Sequence, residues 1–304
     1  MDAQTDAPQK TRFSLGLYLL IVFGLSWPFQ IAGNIWAAQS PTLLLVLVSL
    51  SMVMVTVGTF IAGRFVFQDS FADAGWRWGK PKNYVAVFGL VVGIFAVPTL
   101  IDLALGTVSI PKDANLLAWV GEMAGMTLIT LIPGFGEEFG WRGYMLPRMA
   151  RRWSPRKAVA LHGVIWWAWH LPVLVGAGIY GGIAAAEEMG DPDPVVLSAI
   201  VTAICVVAVN AIPGIMHGII FGYIWSRSRS LAVATVYHAL YDIVRNSFMA
   251  MPGFGPVTGI WIQLLLIILG IIFLWKGNWD TLRKINSAQE LPVGSQESAE
   301  LTSA

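Results

Sequence analysis

The sequence has few charged residues, and this shortage is its most informative property. Asp, Glu, Lys and Arg make up 12% of the 304 residues, against about 25% in a typical soluble domain. Hydrophobic residues make up 56%, and the net charge of +1 gives no reason to expect nucleic acid as a partner. Apolar runs of about 20 residues recur without the two-residue alternation of barrel strands. The sequence therefore predicts an all-α, polytopic membrane protein.

Cysteine and two familiar protease motifs are also scarce or missing. Cys205 is the only cysteine, which excludes a disulfide framework and a thiolate metal site. No His-Glu-x-x-His motif is present, so a zincin-type intramembrane protease finds no support. No Gly-x-Ser-x-Gly motif is present either, so a serine nucleophile of that kind finds none.

The apolar runs predict a bundle of about eight transmembrane helices. The predicted spans are residues 13–36, 41–63, 84–105, 116–147, 158–175, 195–225, 231–249 and 257–275. Residues 1–12 form a polar tail, the first span is too long for a cleaved signal peptide, and residues 276–304 are expected to be disordered. The membrane domain is thus residues 13–275. Between spans, we expect an interfacial segment at 64–82 and a Gly-rich, acidic loop at 176–194.

The basic residues fix the orientation of these spans. With both termini cytoplasmic, 16 of the 19 Lys and Arg residues lie on the cytoplasmic side, and Lys112 alone lies outside. This asymmetry agrees with the positive-inside rule. The most basic loop follows the fourth span and contains Arg148, Arg151, Arg152, Arg156 and Lys157.

One stretch of the fourth span, residues 134–143, carries Glu137, Glu138 and Arg142 at membrane depth. Each ionised side chain costs about 2.5–3.5 kcal/mol at a helix centre, so such a set indicates a functional site. Glu138 and Arg142 are four residues apart and can pair, whereas Glu137 points about 100° away. Since this span is longer than a bilayer needs, we expect it to tilt, to break near Pro133, or to emerge into the interface.

Histidines on three later spans lie at the same depth as Glu137. Counting about 1.5 Å per residue from the nearest basic loop places Glu137, His170, His217 and His238 in a slab about 8 Å thick. Asp242 follows His238 by four residues, so both can point at one centre.

These residue types are suited to water activation. A carboxylate can act as general base with a histidine as co-base or metal ligand. The remaining histidine and aspartate can hold a metal or stabilise an oxyanion, which makes hydrolysis of a peptide bond inside the membrane the leading hypothesis. Trp166 belongs to an aromatic run before His170 that either packs the core or excludes water and orients His170.

Three motifs resemble those of the CPBP (ABI) family of intramembrane metalloproteases, which includes the type II CAAX prenyl endopeptidases. Glu137-Glu138-x-x-x-Arg142 resembles the family's EExxxR motif. Trp166-x-x-x-His170 resembles FxxxH, with Trp in place of Phe. His238-x-x-x-Asp242 resembles HxxxN, where Asp is also seen. The resemblance covers residues 116–249.

The resemblance implies a role for each matching residue. Glu137 and His170 would activate the attacking water, and His238 and Asp242 would stabilise the oxyanion or bind a metal. Glu138, Arg142 and Trp166 would be supporting residues. His162 and His217 match no family motif. The implied cofactor is a divalent metal such as zinc, with Glu137, His170, His238 and Asp242 as candidate ligands. An Asn amide can donate to an oxyanion, but an ionised Asp cannot. Asp242 is therefore expected either to be protonated, to orient His238 or to bind the metal.

The resulting hypothesis is an intramembrane endopeptidase that cleaves a membrane-tethered peptide or protein in the lipid bilayer. A prenylated substrate is one option. Two alternatives are a non-catalytic scaffold, chaperone or immunity protein of the same family and a proton-coupled transporter. A transporter should show matching broken helices in two halves, and the sequence has no such repeat. We expect a multi-pass protein of a bacterial plasma membrane.

Overall fold

A computed structural model describes residues 12–36, 40–188 and 195–287, and every regular element in these ranges is helical. The helices are α1 (Leu15–Trp36), α2 (Pro41–Ile61), α3 (Pro81–Leu105), α4 (Leu116–Glu138), α5 (Leu146–Arg152), α6 (Pro155–Trp169), α7 (Leu171–Glu188), α8 (Val195–Ser228), α9 (Leu231–Ala250), α10 (Pro256–Lys276) and α11 (Asp280–Ser287). A π-helical segment, Phe139–Met145, joins α4 to α5. The protein is therefore an all-α, multi-pass membrane protein, as predicted.

A helix is present at each of the eight predicted spans, but fewer than eight qualify as spans by length and composition. Six do so within the described residues, and α6 with α7, bent by 45° at His170, makes a seventh. The helix α9 is long enough but too polar, because it carries His238, Asp242 and Arg245. Length and hydropathy therefore identify six or seven of the eight predicted spans, and the eighth, α9, is a more polar helix that packs against α4 and α3.

Three helices begin at residues that satisfy their first free N–H groups. Ser40, Asn115 and Ser230 each accept a hydrogen bond from the backbone N–H three residues later. Such caps fix where α2, α4 and α9 start. They thereby set the depth of the residues that follow.

The fourth predicted span does not break at Pro133, which lies inside α4. The helix instead widens into the π-helical segment just after the two glutamates. A Cβ at Gly136 would lie 2.8 Å from the carbonyl oxygen of Met52, so this glycine allows α4 to approach α2 closely. The carbonyl of Gly136 accepts from Thr56 Oγ1, and that of Gly140 accepts from Tyr18. This close contact with α2 leaves the glutamates facing the other way, toward α9.

Two regions predicted to be irregular contain helices. The Gly-rich segment expected to be a loop from residue 176 continues α7 to Glu188, and residues 189–194 lie outside the described residues. In the tail expected to be disordered, α11 forms and buries Leu282, with Trp279 buried just before it. The disorder prediction is wrong for residues 280–287. Residues 1–11 and 288–304 lie outside the described part.

The predicted basic loop after the fourth span is also partly helical and partly buried. Arg148, on α5, is only 3% exposed and pairs with Asp69 and Asp73 from the segment between α2 and α3. Arg151 joins the same group through Asp73. We call Asp69, Asp73, Arg148 and Arg151 the interface cluster. It docks the 67–80 segment onto the end of the helix that carries the glutamates.

Candidate active site

The predicted catalytic residues border one cavity of about 400 Å³. They come from three places in the fold: Glu137 from the end of α4, His170 from the bend between α6 and α7, and His238 and Asp242 from α9. The packing of α9 against α4, and of α6 against α8, brings these elements around the cavity. Residues far apart in the chain therefore share one cavity.

Glu137 is 1% exposed, and its two oxygens have different surroundings. Oε2 accepts a hydrogen bond of 2.9 Å from the indole N–H of Trp166. Oε1 lies 4.0 Å from Nε2 of His238 and accepts no hydrogen bond from the described residues. One oxygen therefore holds the carboxylate in place while the other remains available.

Glu138 connects Arg142 to His238. Its Oε1 accepts from Arg142 Nη1 at 2.8 Å, so the predicted pair four residues apart is present. The same oxygen accepts from Nδ1–H of His238 at 2.9 Å. The guanidinium of Arg142 also lies over the rings of Phe221 and Trp166, 4.1 and 4.9 Å from their centroids. Because Nδ1 of His238 is held by Glu138, its Nε2 is turned toward Glu137.

Asp242 stands on the other side of His238. Its Oδ2 lies 3.4 Å from Nε2 of His238, and its Oδ1 lies 3.6 Å from Nη2 of Arg245. A carboxylate between an imidazole and a guanidinium is in the setting of an ionised group. This geometry suits an Asp242 that orients His238 better than one that is protonated.

His170 is held by the aromatic run that precedes it. Its Nδ1–H donates to the backbone carbonyl of Trp166 at 2.8 Å, which directs Nε2 away as a free acceptor. The rings of Trp166 and Trp169 pack against the imidazole at 4.6 and 4.8 Å between centroids. Trp169 is fixed in turn by its N–H bond to Ser26 on α1. Trp166 thus contacts both Glu137 and His170.

The two histidines without a motif differ from each other. His217 borders the cavity, and its Nε2 is hydrogen-bonded to the hydroxyl of Tyr237 at 3.0 Å. His162 is fully buried and does not border it. His217 lies at the same predicted depth as Glu137, and this depth was the sequence signal that could have placed it at the cavity. Gln30 and Arg245 border the cavity as well, and no sequence pattern indicated them.

The four candidate metal ligands do not form a metal site in this arrangement. Within the described residues, no group of three or more His, Cys, Asp or Glu side chains is placed to hold a metal ion. A metal-bound imidazole needs a lone pair on one ring nitrogen, and in this arrangement Nδ1 of His238 contacts Glu138 while Nε2 faces Asp242. The zinc site therefore stays a prediction.

Comparison with known proteins agrees with this geometry. The sequence model of the family described as type II CAAX prenyl endopeptidase Rce1-like matches residues 119–244. The core of the chain is therefore similar to an Rce1-like domain. That domain runs from α4 into α9 and contains every predicted site residue, which confirms the resemblance to the type II CAAX prenyl endopeptidases.

A relative named CAAX prenyl protease 2, from Methanococcus maripaludis, is 27% identical over 94 residues. The aligned part is 31% of this chain and 35% of the relative, so about a third of each protein is compared. Helices α1 to α3 and α10 lie outside the Rce1-like match. Two residues that border the cavity, Gln30 and Gln263, belong to these outer helices.

Proposed function

We propose that this protein is a membrane endopeptidase of the CAAX protease type, with Glu137 as general base. The observation that supports this most is the pairing of two unengaged acceptors at one cavity. Oε1 of Glu137 and Nε2 of His170 accept no hydrogen bond from the described residues, and both side chains border the cavity. Two open acceptors that face the same cavity are suited to hold a water and to take a proton from it.

In the first step, Glu137 takes a proton from a water, with His170 as a second acceptor that orients it. The oxygen of the water attacks the carbonyl carbon of the scissile peptide bond. Trp166 keeps Oε2 of Glu137 occupied, so the proton goes to Oε1. A positioned base of this kind contributes about 10²–10⁴-fold to the rate.

In the second step, His238 stabilises the oxyanion that develops on the carbonyl oxygen. Glu138 holds Nδ1, and Nε2 lies 3.4 Å from Oδ2 of Asp242 without a hydrogen bond to it, so an Nε2–H can turn to the oxyanion when substrate is bound. When the tetrahedral intermediate collapses, the C–N bond breaks and Glu137 returns its proton to the leaving amine. Every step uses side chains of this chain alone.

The proposed substrate is a membrane-tethered peptide or protein, and a prenylated CAAX peptide is the first one to test. The Rce1-like match and the name of the archaeal relative support this choice. The cavity fits it chemically, because apolar side chains line the space beside the polar group. A bacterial plasma membrane remains the expected location.

The test is a cleavage assay on purified protein in nanodiscs, with a fluorogenic farnesylated CAAX peptide. Glu137→Gln, His170→Ala and His238→Ala should each lower the rate at least about 100-fold, while size-exclusion profiles and melting temperatures stay close to those of the wild type. The same peptide without its prenyl group serves as the control for substrate class. Full cleavage by Glu137→Gln would remove the proposed base.

Metal analysis of the same preparations addresses the zinc prediction. If the arrangement described above is the reactive one, the protein contains less than one equivalent of metal, and a chelator leaves the rate unchanged. A stoichiometric metal together with chelator-sensitive cleavage would contradict that arrangement and favour a metal-assisted reaction.

A further inference from the structure

Three polar groups beside the cavity have no partner among the described residues. Gln30, on α1, is fully buried, and neither Nε2 nor Oε1 of its amide is hydrogen-bonded. Nε1 of Trp167 on α6 and Oε1 of Gln263 on α10 are buried and unpartnered as well. All three side chains border the cavity that contains Glu137.

Two neighbouring amides, in contrast, are hydrogen-bonded within the fold. Asn34, one turn after Gln30 on α1, donates to the carbonyl of Pro172. Asn210, also beside the cavity, donates to the carbonyl of Val206. Buried polar groups without partners are costly and rare. Three of them from three helices around one cavity indicate that something other than the fold supplies their partners.

The chemistry of the three groups matches a peptide main chain. Gln30 offers an amide NH₂ group as donor and a carbonyl oxygen as acceptor, Trp167 offers a donor, and Gln263 offers an acceptor. An extended peptide presents N–H and C=O groups in alternation, and apolar residues between the polar groups suit apolar substrate side chains. The apolar residues beside the cavity include Val173, Leu174, Ile262 and Leu266.

We propose that Gln30, with Trp167 and Gln263, binds the main-chain amides of an extended, apolar substrate segment. This inference rests on the proposed peptidase function and adds a substrate subsite to it. Gln30 and Gln263 lie outside residues 119–244, so part of the subsite is built by helices beyond the Rce1-like domain.

The main experiment replaces Gln30 with methionine, which keeps the length of the side chain and removes the amide. The KM for the farnesylated CAAX peptide should rise about tenfold, with kcat changed less than about twofold, because the lost hydrogen bonds hold the substrate rather than the reacting atoms. The melting temperature should stay the same or rise, since an unpartnered buried amide has been removed.

Asn34→Leu is the matched control on the same helix. It removes an amide that is bonded within the fold, so the melting temperature should fall and the KM should not change. If Gln30→Met behaves like this control, or if it lowers kcat with KM unchanged, the amide serves the fold or the chemistry, and the proposed subsite is wrong.

A binding measurement separates this inference from the proposed function. In the Glu137→Gln background, the Kd of a fluorescent farnesylated CAAX peptide is measured in nanodiscs, with empty nanodiscs as the blank. Adding Gln30→Met should raise the Kd about tenfold. A specific loss of binding supports the subsite even if the wild type cleaves nothing. An unchanged Kd overturns the subsite even if Glu137 proves essential for cleavage.

N-methylation of single peptide bonds in the ligand identifies the amide involved. One position should weaken binding to the protein with Gln30 and have no further effect on the Gln30→Met protein. If every N-methylated ligand loses the same affinity for both proteins, Gln30 does not contact the main chain, and the proposed subsite is wrong.

Discussion

The interface cluster and the ionic group around His238 use the same residue types in different ways. In the interface cluster, Nε of Arg148 donates to Asp69, Nη1 donates to Asp73 and to the carbonyl of Tyr144, and Nη2 donates to the carbonyl of Ser70. Every nitrogen of this guanidinium is used. Burial acts to raise the pKa of Asp69, but the hydrogen bond and charge of Arg148 outweigh it and hold that pKa below its ordinary value.

In the ionic group around His238, fewer of the donors and acceptors are hydrogen-bonded. Arg142 uses Nη1 on Glu138, but its Nε and Nη2 have no partner among the described residues, and neither does Oε2 of Glu138. Oε1 of Glu137 accepts no hydrogen bond from them either. A saturated network stabilises the fold, whereas in the unsaturated one Glu137 and His238 border the cavity, where a substrate can use their open atoms. The difference separates a structural cluster from a candidate active site.

The sharpest test of the comparison is Arg142→Ala. It leaves Glu138 buried with His238 as its remaining partner, and breaking a buried pair in this way costs about 3–5 kcal/mol. We expect a large fall in unfolding free energy together with a lower cleavage rate, because Glu138 also orients His238. Denaturant unfolding and peptide cleavage measure the two effects. Wild-type behaviour in both assays would mean that Arg142 supports neither the fold nor the site.

Arg148→Met should affect stability alone. Asp69 and Asp73 are each about a quarter exposed, so water can replace part of what they lose, and the expected cost is about 2–3 kcal/mol. The cleavage rate per folded molecule should equal that of the wild type. It is measured on the monodisperse fraction from size-exclusion chromatography and divided by the protein concentration. A lower rate at unchanged stability would show that the interface cluster contributes to the reaction. The distinction between this cluster and the ionic group around His238 would then be wrong.

The smallest effect is expected for Trp166→Phe. This change keeps the ring and restores the residue of the FxxxH motif, but removes the N–H that holds Oε2 of Glu137. We expect kcat to fall about tenfold, the value of one hydrogen bond to a charged group. Trp225→Phe is the matched control, since it also loses a buried indole bond, to the carbonyl of Ala74, away from the cavity. Equal kcat in both variants would exclude Trp166 as a positioning residue.

The features that could be predicted are those that depend on short sequence separations. The apolar runs predicted where helices form, because a membrane span needs its own length of apolar residues. The spacing of Glu138 and Arg142 predicted their pairing across one helical turn. For α11, the spacing of Trp279, Leu282 and Ile285 was a signal that could have replaced the prediction of disorder, since an apolar residue at every third position marks one helix face.

Composition and contacts within one helix were enough to predict the all-α membrane class, the positions of most helices and the residue types of the candidate site. The packing of the helices was needed to show that Arg148 belongs to a saturated cluster, that Trp166 holds Glu137, and that Gln30 borders the cavity. Each of these contacts joins residues distant in the chain. Their partners are chosen by how the helices pack, and no local pattern contains that information.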